Sequence, residues 1–235
     1  MTPSRPPQNP MEGTPPHILA LLDRLHAESL AQEKLLDRSV FAGAASDEAK
    51  KAAVRDKFIA LDQDKSQYVY ALARAADART IVEAGTSFGV STIYLALAAS
   101  ANANAAGGRG KKANVIATEY EPTKAARARG YWAECGEVVT GAIDLREGDL
   151  RETLKENLEE VDLLLLDIWT EMALPTLKIV QQKMRRGAIV IADNTSVSEG
   201  YDEMLTYMRN PDSGFITMTL PFNKGLEFCV YLPKN

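Results

Sequence analysis

Apolar and polar positions follow two different rhythms along the 235 residues. In the first third the spacing is helical. Ile18, Leu21, Leu22, Leu25, Leu30 and Leu36 fall roughly on one face of a helix over 18–36. A second helix is predicted over 47–58 with Ser46 as its N-cap, and a third over 65–76. From residue 80 onward short apolar runs alternate with helical stretches. The runs 80–83, 114–118, 143–147, 161–167 and 188–192 predict strands. The stretches 90–100, 122–135, 150–158, 174–184 and 199–209 predict helices, the second with Pro122 in its first turn. The run VDLLLLD (161–167) is apolar on successive residues, as a strand covered on both faces is. Two last runs, 215–220 and 227–232, predict an antiparallel pair joined by a turn at 223–225. The sum is an α/β fold: a doubly wound, seven-stranded, mostly parallel sheet with an antiparallel C-terminal edge and extra N-terminal helices.

Residues 1–16 hold six of the 11 prolines and read as a flexible tail. Residues 17–235 then form a single domain whose opening segment, 17–78, is helical. The low-complexity stretch ANANAAGGRG (101–110) reads as a surface loop, and it lacks the Lys-Ser/Thr ending of a phosphate-binding Walker loop.

Composition narrows the chemistry. Lys and Arg total 27 against 32 Asp and Glu, a formal net charge of −5, which argues against a nucleic-acid partner. Only two histidines are present, His17 and His26, both far upstream of the strands. This disfavours His-ligated zinc and Ser-His-Asp hydrolysis, so carboxylates, hydroxyls or lysines must carry any catalysis. The two cysteines, Cys135 and Cys229, make no metal or redox motif, no run is long enough to span a membrane, and no apolar stretch follows a basic start. The expected setting is a reducing cytoplasm without a membrane partner.

Candidate chemistry collects at strand ends, where ligands bind in doubly wound sheets. EAGTSFGVS (83–91) turns the first strand into a helix, and its Gly85 and Gly89 let backbone approach a ligand. The spacing is not GxGxxG, so a nicotinamide dehydrogenase is disfavoured, and Glu83 suits a cationic ligand better than a pyrophosphate. Glu119 ends the second strand, where an acid accepts from ribose hydroxyls. Gly148, Asp149 and Leu150 follow the third, with Asp149 readable as a helix N-cap. Asp167 and Asp193 end adjacent apolar strands, and with Asn194 they supply hard oxygen ligands of the kind Mg²⁺ or Ca²⁺ takes.

Together VEAGTSFGVSTIYLA, ATEYEP, REGD, LLLLDIW, RGAIVIADN and KGLEF resemble, in order and spacing, the class I S-adenosylmethionine-dependent methyltransferases, which are Rossmann-like. More narrowly they resemble the catechol-type, divalent-metal-dependent O-methyltransferases, over about residues 57–235. The resemblance implies S-adenosylmethionine as cofactor, held at its methionine end by Glu83, Gly85, Thr86, Ser87 and Ser91. Leu61 would lie in a segment closing over that end, Glu119 on the ribose, Gly148, Asp149 and Leu150 at the adenine, and Trp169 on cofactor or substrate. Asp167, Asp193 and Asn194 would be metal ligands, for Mg²⁺ with Mn²⁺ or Ca²⁺ as alternatives. The implied substrate is a small aromatic hydroxyl compound, one of a vicinal pair, and the implied assembly is a homodimer.

One position departs from the family. A lysine there serves as general base, and here it is Thr170. Asp167 and Lys65 are left as catalytic candidates, Lys65 as a substitute base. A metal-independent methyltransferase for another nucleophile, or a non-catalytic cofactor-binding protein, are the competing readings.

Overall fold

The structure, a computed structural model, describes residues 9–36, 52–53, 55–107, 109–197 and 199–234. Helices are numbered among these. In chain order the elements are α1 (Pro16–Glu33), α2 (Gln63–Ala75), β1 (Thr80–Ala84), α3 (Val90–Ala105), β2 (Asn114–Glu119), α4 (Pro122–Cys135), α5 (Glu137–Thr140), β3 (Ile143–Glu147), α6 (Leu150–Thr153), β4 (Val161–Leu166), α7 (Thr170–Gln181) and β5 (Met184–Asp193). A 3₁₀ turn (Glu199–Tyr201), α8 (Asp202–Arg209), β6 (Phe215–Leu220) and β7 (Leu226–Tyr231) complete the chain.

The seven strands run in the order β3-β2-β1-β4-β5-β7-β6. β1 to β5 pair in parallel, and β7 is antiparallel to both β5 and β6. Two cores cover the two faces, because side chains alternate along a strand. Ile81, Leu163, Leu165, Ile189 and Ile191 pack with α1, α2, α3 and α4. Val82, Ala84, Leu164, Leu166, Val190 and Ala192 pack with α7 and α8. All six residues of β4 are buried, as its unbroken apolar run predicts. β1 and β4 are neighbours while their following connections leave in opposite directions, which places the topological switch point between their carboxyl ends.

Several boundaries differ from the sequence reading. Within the predicted tail Met11 is buried, and its N–H donates to Asn9 Oδ1 at 2.9 Å. Ser46 and half of the predicted helix over 47–58 lie outside the described residues. α3 runs on to Ala105 through half of the expected loop, because the Asn102 amide turns inward and donates to the carbonyls of Ala73 and Ala78 at 3.0 and 2.9 Å. α6 stops at Thr153, short of the predicted 158. α7 starts at Thr170 and carries Pro175 inside it, although a proline ordinarily marks a helix start.

Candidate functional site

The site is built on the carboxyl ends of β1, β2, β4 and β5. β1 ends into a loop that needs glycine twice. Gly85 has φ +92, and a Cβ there would lie 2.1 Å from the Asp167 carbonyl oxygen. Gly89 has φ +76, and a Cβ there would strike the Trp132 indole at 2.5 Å, while the indole N–H donates to the Gly89 carbonyl at 2.9 Å. The loop therefore lies flat between β4 and α4, with its backbone turned toward the cleft above.

Glu83 is fully buried beneath this loop. Its carboxylate accepts from Ser91 Oγ at 2.6 Å, Thr92 Oγ1 at 2.5 Å and Thr86 Oγ1 at 2.8 Å. Burial pushes the acid up, and the three hydroxyls pull it down. Glu83 thus shapes the loop from within; Thr86 and Ser91 line the cleft and Glu83 does not.

Glu119, half-buried, accepts from the Ser87 N–H at 2.7 Å and the Glu121 N–H at 2.8 Å. Burial raises this carboxyl as well, against those amides. Gly148 (φ +113) donates to the Glu119 carbonyl at 2.9 Å, which brings the end of β3 beside it. Asp149 caps α6 through the Arg151 N–H at 2.9 Å, as the sequence suggested, and pairs with the Arg151 guanidinium at 2.6 Å. Ile59, Ala60 and Leu61 form a strap facing Gly85–Ser91, and the cleft between them opens on Asp167. The Ser87 hydroxyl donates to the Ile59 carbonyl at 3.3 Å across it.

Asp167 lies at one end of the cleft, and Asp193 is close enough to act on it electrostatically. Asp167 follows β4, its N–H donating to Ala84 O at 3.0 Å, and its carboxylate has no hydrogen-bond partner among the described residues. Burial, then the carboxylates of Asp193 and Glu83, push it up to about 8 against the opposing pull of Lys65. Asp193 is buried at the end of β5 and is also raised, by burial above all. Lys65, on α2, is completely buried; its Nζ is 2.5 Å from Asp193 Oδ1 and 3.4 Å from Asp62 Oδ2. Asn194 adopts φ +61 as the chain leaves β5. Trp169 is at the exposed rim, and Thr170 packs so tightly on the 3₁₀ turn that a Cβ at Gly200 would lie 1.9 Å from Thr170 Oγ1. No cluster of three or more His, Cys, Asp or Glu side chains suited to a metal occurs among the described residues.

Sequence reasoning missed Asp62, Thr92 and Trp132. The i, i+3 spacing of Asp62 and Lys65 was a usable signal; the indole under Gly89 had none.

A seven-stranded sheet in this order, with a glycine turn after β1 and acids ending β2, β4 and β5, is the class I methyltransferase architecture. Residues 82–195 match the family described as Methyltransferase domain. The resemblance to class I S-adenosylmethionine-dependent O-methyltransferases is borne out. Catechol O-methyltransferase of Mycobacterium tuberculosis is 30% identical over 137 residues, 58% of this chain and 57% of that protein. A cofactor-bound structure from the same bacterium superposes with a TM-score of 0.66 at 22% identity, covering 98% of this chain and 100% of that one. An O-methyltransferase of Bacillus cereus in complex with SAH gives 0.61 at 18% identity, covering 88% and 99%. No helix among the described residues is long and apolar enough to cross a membrane.

Proposed function

We propose that this protein is an S-adenosylmethionine-dependent O-methyltransferase acting on a hydroxyl of a small aromatic substrate, one of a vicinal pair, with a divalent cation assisting. The chain spans 57% of the length of the curated relative, so the activity is inferred from the site. The observation that carries it is the Gly85–Ser91 loop at the carboxyl end of β1, with the strap (Ile59, Ala60, Leu61) lying over it and Asp167 at its end; the cleft between them is only about 10 Å³, so a cofactor enters as the strap lifts. A cofactor seated there meets backbone at Gly85, hydroxyls at Thr86, Ser87 and Ser91, and the carboxylate of Glu119 beyond Ser87. Gly148, Asp149 and Leu150 lie past Glu119, on the side assigned to the adenine.

The cofactor supplies a sulfonium methyl, and the residues of the chain have the task of aligning and desolvating the acceptor oxygen. The carboxylate of Asp167, without a hydrogen-bond partner among the described residues, suits a positive ligand, whether amine or metal. Asp167, Asp193 and Asn194 carry hard oxygens of the kind Mg²⁺ takes and would be its ligands, with the cation displacing Lys65 from Asp193 Oδ1. Such a cation supplies Lewis acidity that favours the ionised acceptor. Lys65 stands here as the counter-ion of Asp193 and pairs with Asp62 as well, so serving as the base would require it to leave both pairs. The base position, Thr170, holds a hydroxyl wedged against Gly200. Trp169, at the exposed rim, would pack on the cofactor or the substrate.

A second reading has its own support: Lys65 already brings a cation to Asp193, which favours methyl transfer without a metal. Isothermal titration with SAH tests the cofactor assignment, and turnover of a catechol-bearing acceptor in EDTA decides between the readings. Loss in EDTA with recovery on Mg²⁺ supports the first; unchanged turnover supports the second. A homodimer in a reducing compartment completes the proposal, the latter in keeping with two free, buried cysteines.

A further inference from the structure

The strap over the cleft has no regular secondary structure of its own, so its position must be set from elsewhere. One of its backbone amides, and that of Phe58 just before it, are taken by side chains of α1. The Phe58 N–H donates to Gln32 Oε1 at 2.9 Å, and the Ala60 N–H donates to Ser29 Oγ at 3.0 Å. Each acceptor is itself oriented within the helix. Ser29 Oγ donates to Glu33 Oε1 at 3.3 Å, which turns its lone pairs toward Ala60. Gln32 Nε2 donates to Glu28 Oε1 at 3.3 Å, which fixes the amide so that its oxygen faces Phe58. α1 is a firm base for this, since Leu21, Leu22 and Leu25 are buried in the core and His26 bonds Tyr94 Oη at 2.9 Å.

The strap passes this constraint to the loop. Ile59 O accepts from Ser87 Oγ, and the Ser87 N–H in turn holds Glu119 at 2.7 Å. Phe58 also stacks on Phe88 of the loop, ring centroids 4.7 Å apart, under the Arg127 guanidinium. A continuous series of contacts therefore runs from α1 through the strap to the loop and to Glu119.

We propose that Ser29 and Gln32 are positioning residues for the cofactor site: they touch no cofactor, and they set the height of the strap that closes it. This rests on the cofactor reading above. The test uses Ser29→Ala and Gln32→Leu, singly and together, in the full chain. SAH affinity is measured by titration, KM for S-adenosylmethionine and kcat by turnover, and backbone hydrogen exchange over residues 57–61. Each single change is expected to weaken SAH about 3–10-fold, the range a lost hydrogen bond gives. KM for S-adenosylmethionine rises in step while kcat is largely retained, exchange over 57–61 accelerates, and Ser29→Thr, which keeps the acceptor, restores affinity. Wild-type SAH affinity in the double variant, or a fall in kcat at unchanged KM, overturns the proposal. Should Ser29→Ala fail to fold, Gln32→Leu at the half-buried end of α1 decides alone. An unaltered protein that binds no SAH contradicts the cofactor reading instead, so the two failures are distinguishable.

Discussion

Lys65→Met removes a charge and keeps an unbranched apolar stem, so the response isolates the ion pair. The Lys65 side chain is 0% exposed and that of Asp193 6%, at 2.5 Å, with Asp62 a further 3.4 Å contact. Breaking a buried pair by removing one partner costs about 3–5 kcal/mol, because the remaining charge is left uncompensated. The packing change is small by comparison, since a Met side chain fills nearly the volume of the lysine stem and such swaps cost under about 1.5 kcal/mol. Asp193 can relieve the strain by taking a proton, and burial already raises it. The loss should therefore be largest at alkaline pH and shrink as the acid protonates. Urea unfolding in EDTA, at about pH 8.5 and about pH 5, reads this directly. Lys65→Met/Asp193→Asn should recover most of the lost stability at the higher pH, since both charges are then gone. A single-variant loss below about 1 kcal/mol at pH 8.5, or one independent of pH, would refute Lys65 as the counter-ion of a buried carboxylate.

Gly85→Ala combines a φ of +92 with a contact of 2.1 Å to Asp167 O, so SAH affinity should fall by more than about 100-fold, checked by titration. The Asp167 carboxyl sits at about 8 in the folded chain against 3.8 when unfolded. A raised acid contributes stability that is present below its unfolded value and lost as pH rises through its folded value, so the ligand-free protein should melt lower at about pH 8.5 than at about pH 5.5. Asp167→Asn should flatten that difference; an unchanged slope would remove Asp167 as its source. Binding of a cation beside Asp167 near pH 7 should release protons, measured by calorimetry in buffers of different ionisation enthalpy. Thr170→Lys should speed turnover on a catechol-bearing acceptor by about 100-fold if the base is missing, and an unchanged kcat would show that another group serves.

The sheet was legible because β1, β4 and β5 are buried on both faces, so their apolar runs are nearly continuous and bounded by glycine and acids. The same boundaries exposed Glu119, Asp167 and Asp193, since a strand-end acid interrupts an apolar run. The pairing of Lys65 with Asp193 was not legible, because it joins residues 128 positions apart. The fate of Glu83 was half-legible. Thr86, Ser91 and Thr92 were in plain view, but they converge on it only once α3 is known to start at Val90. Asn102 was hidden by low complexity: alanine and asparagine read as a loop, whereas the asparagine is an inward donor to two carbonyls. The hold of α1 on the strap was invisible because neither Phe58 nor Ala60 carries it through its side chain; both use backbone amides.

The most direct test follows a labelled methyl group. The protein is incubated with S-adenosylmethionine carrying a deuterated methyl, a catechol-bearing acceptor and Mg²⁺, and the products are read by mass spectrometry. The account expects a mono-O-methyl ether carrying the label, with SAH formed in equal amount. A protein that binds SAH yet yields no labelled ether from vicinal-diol aromatics, with or without divalent metal, would contradict it.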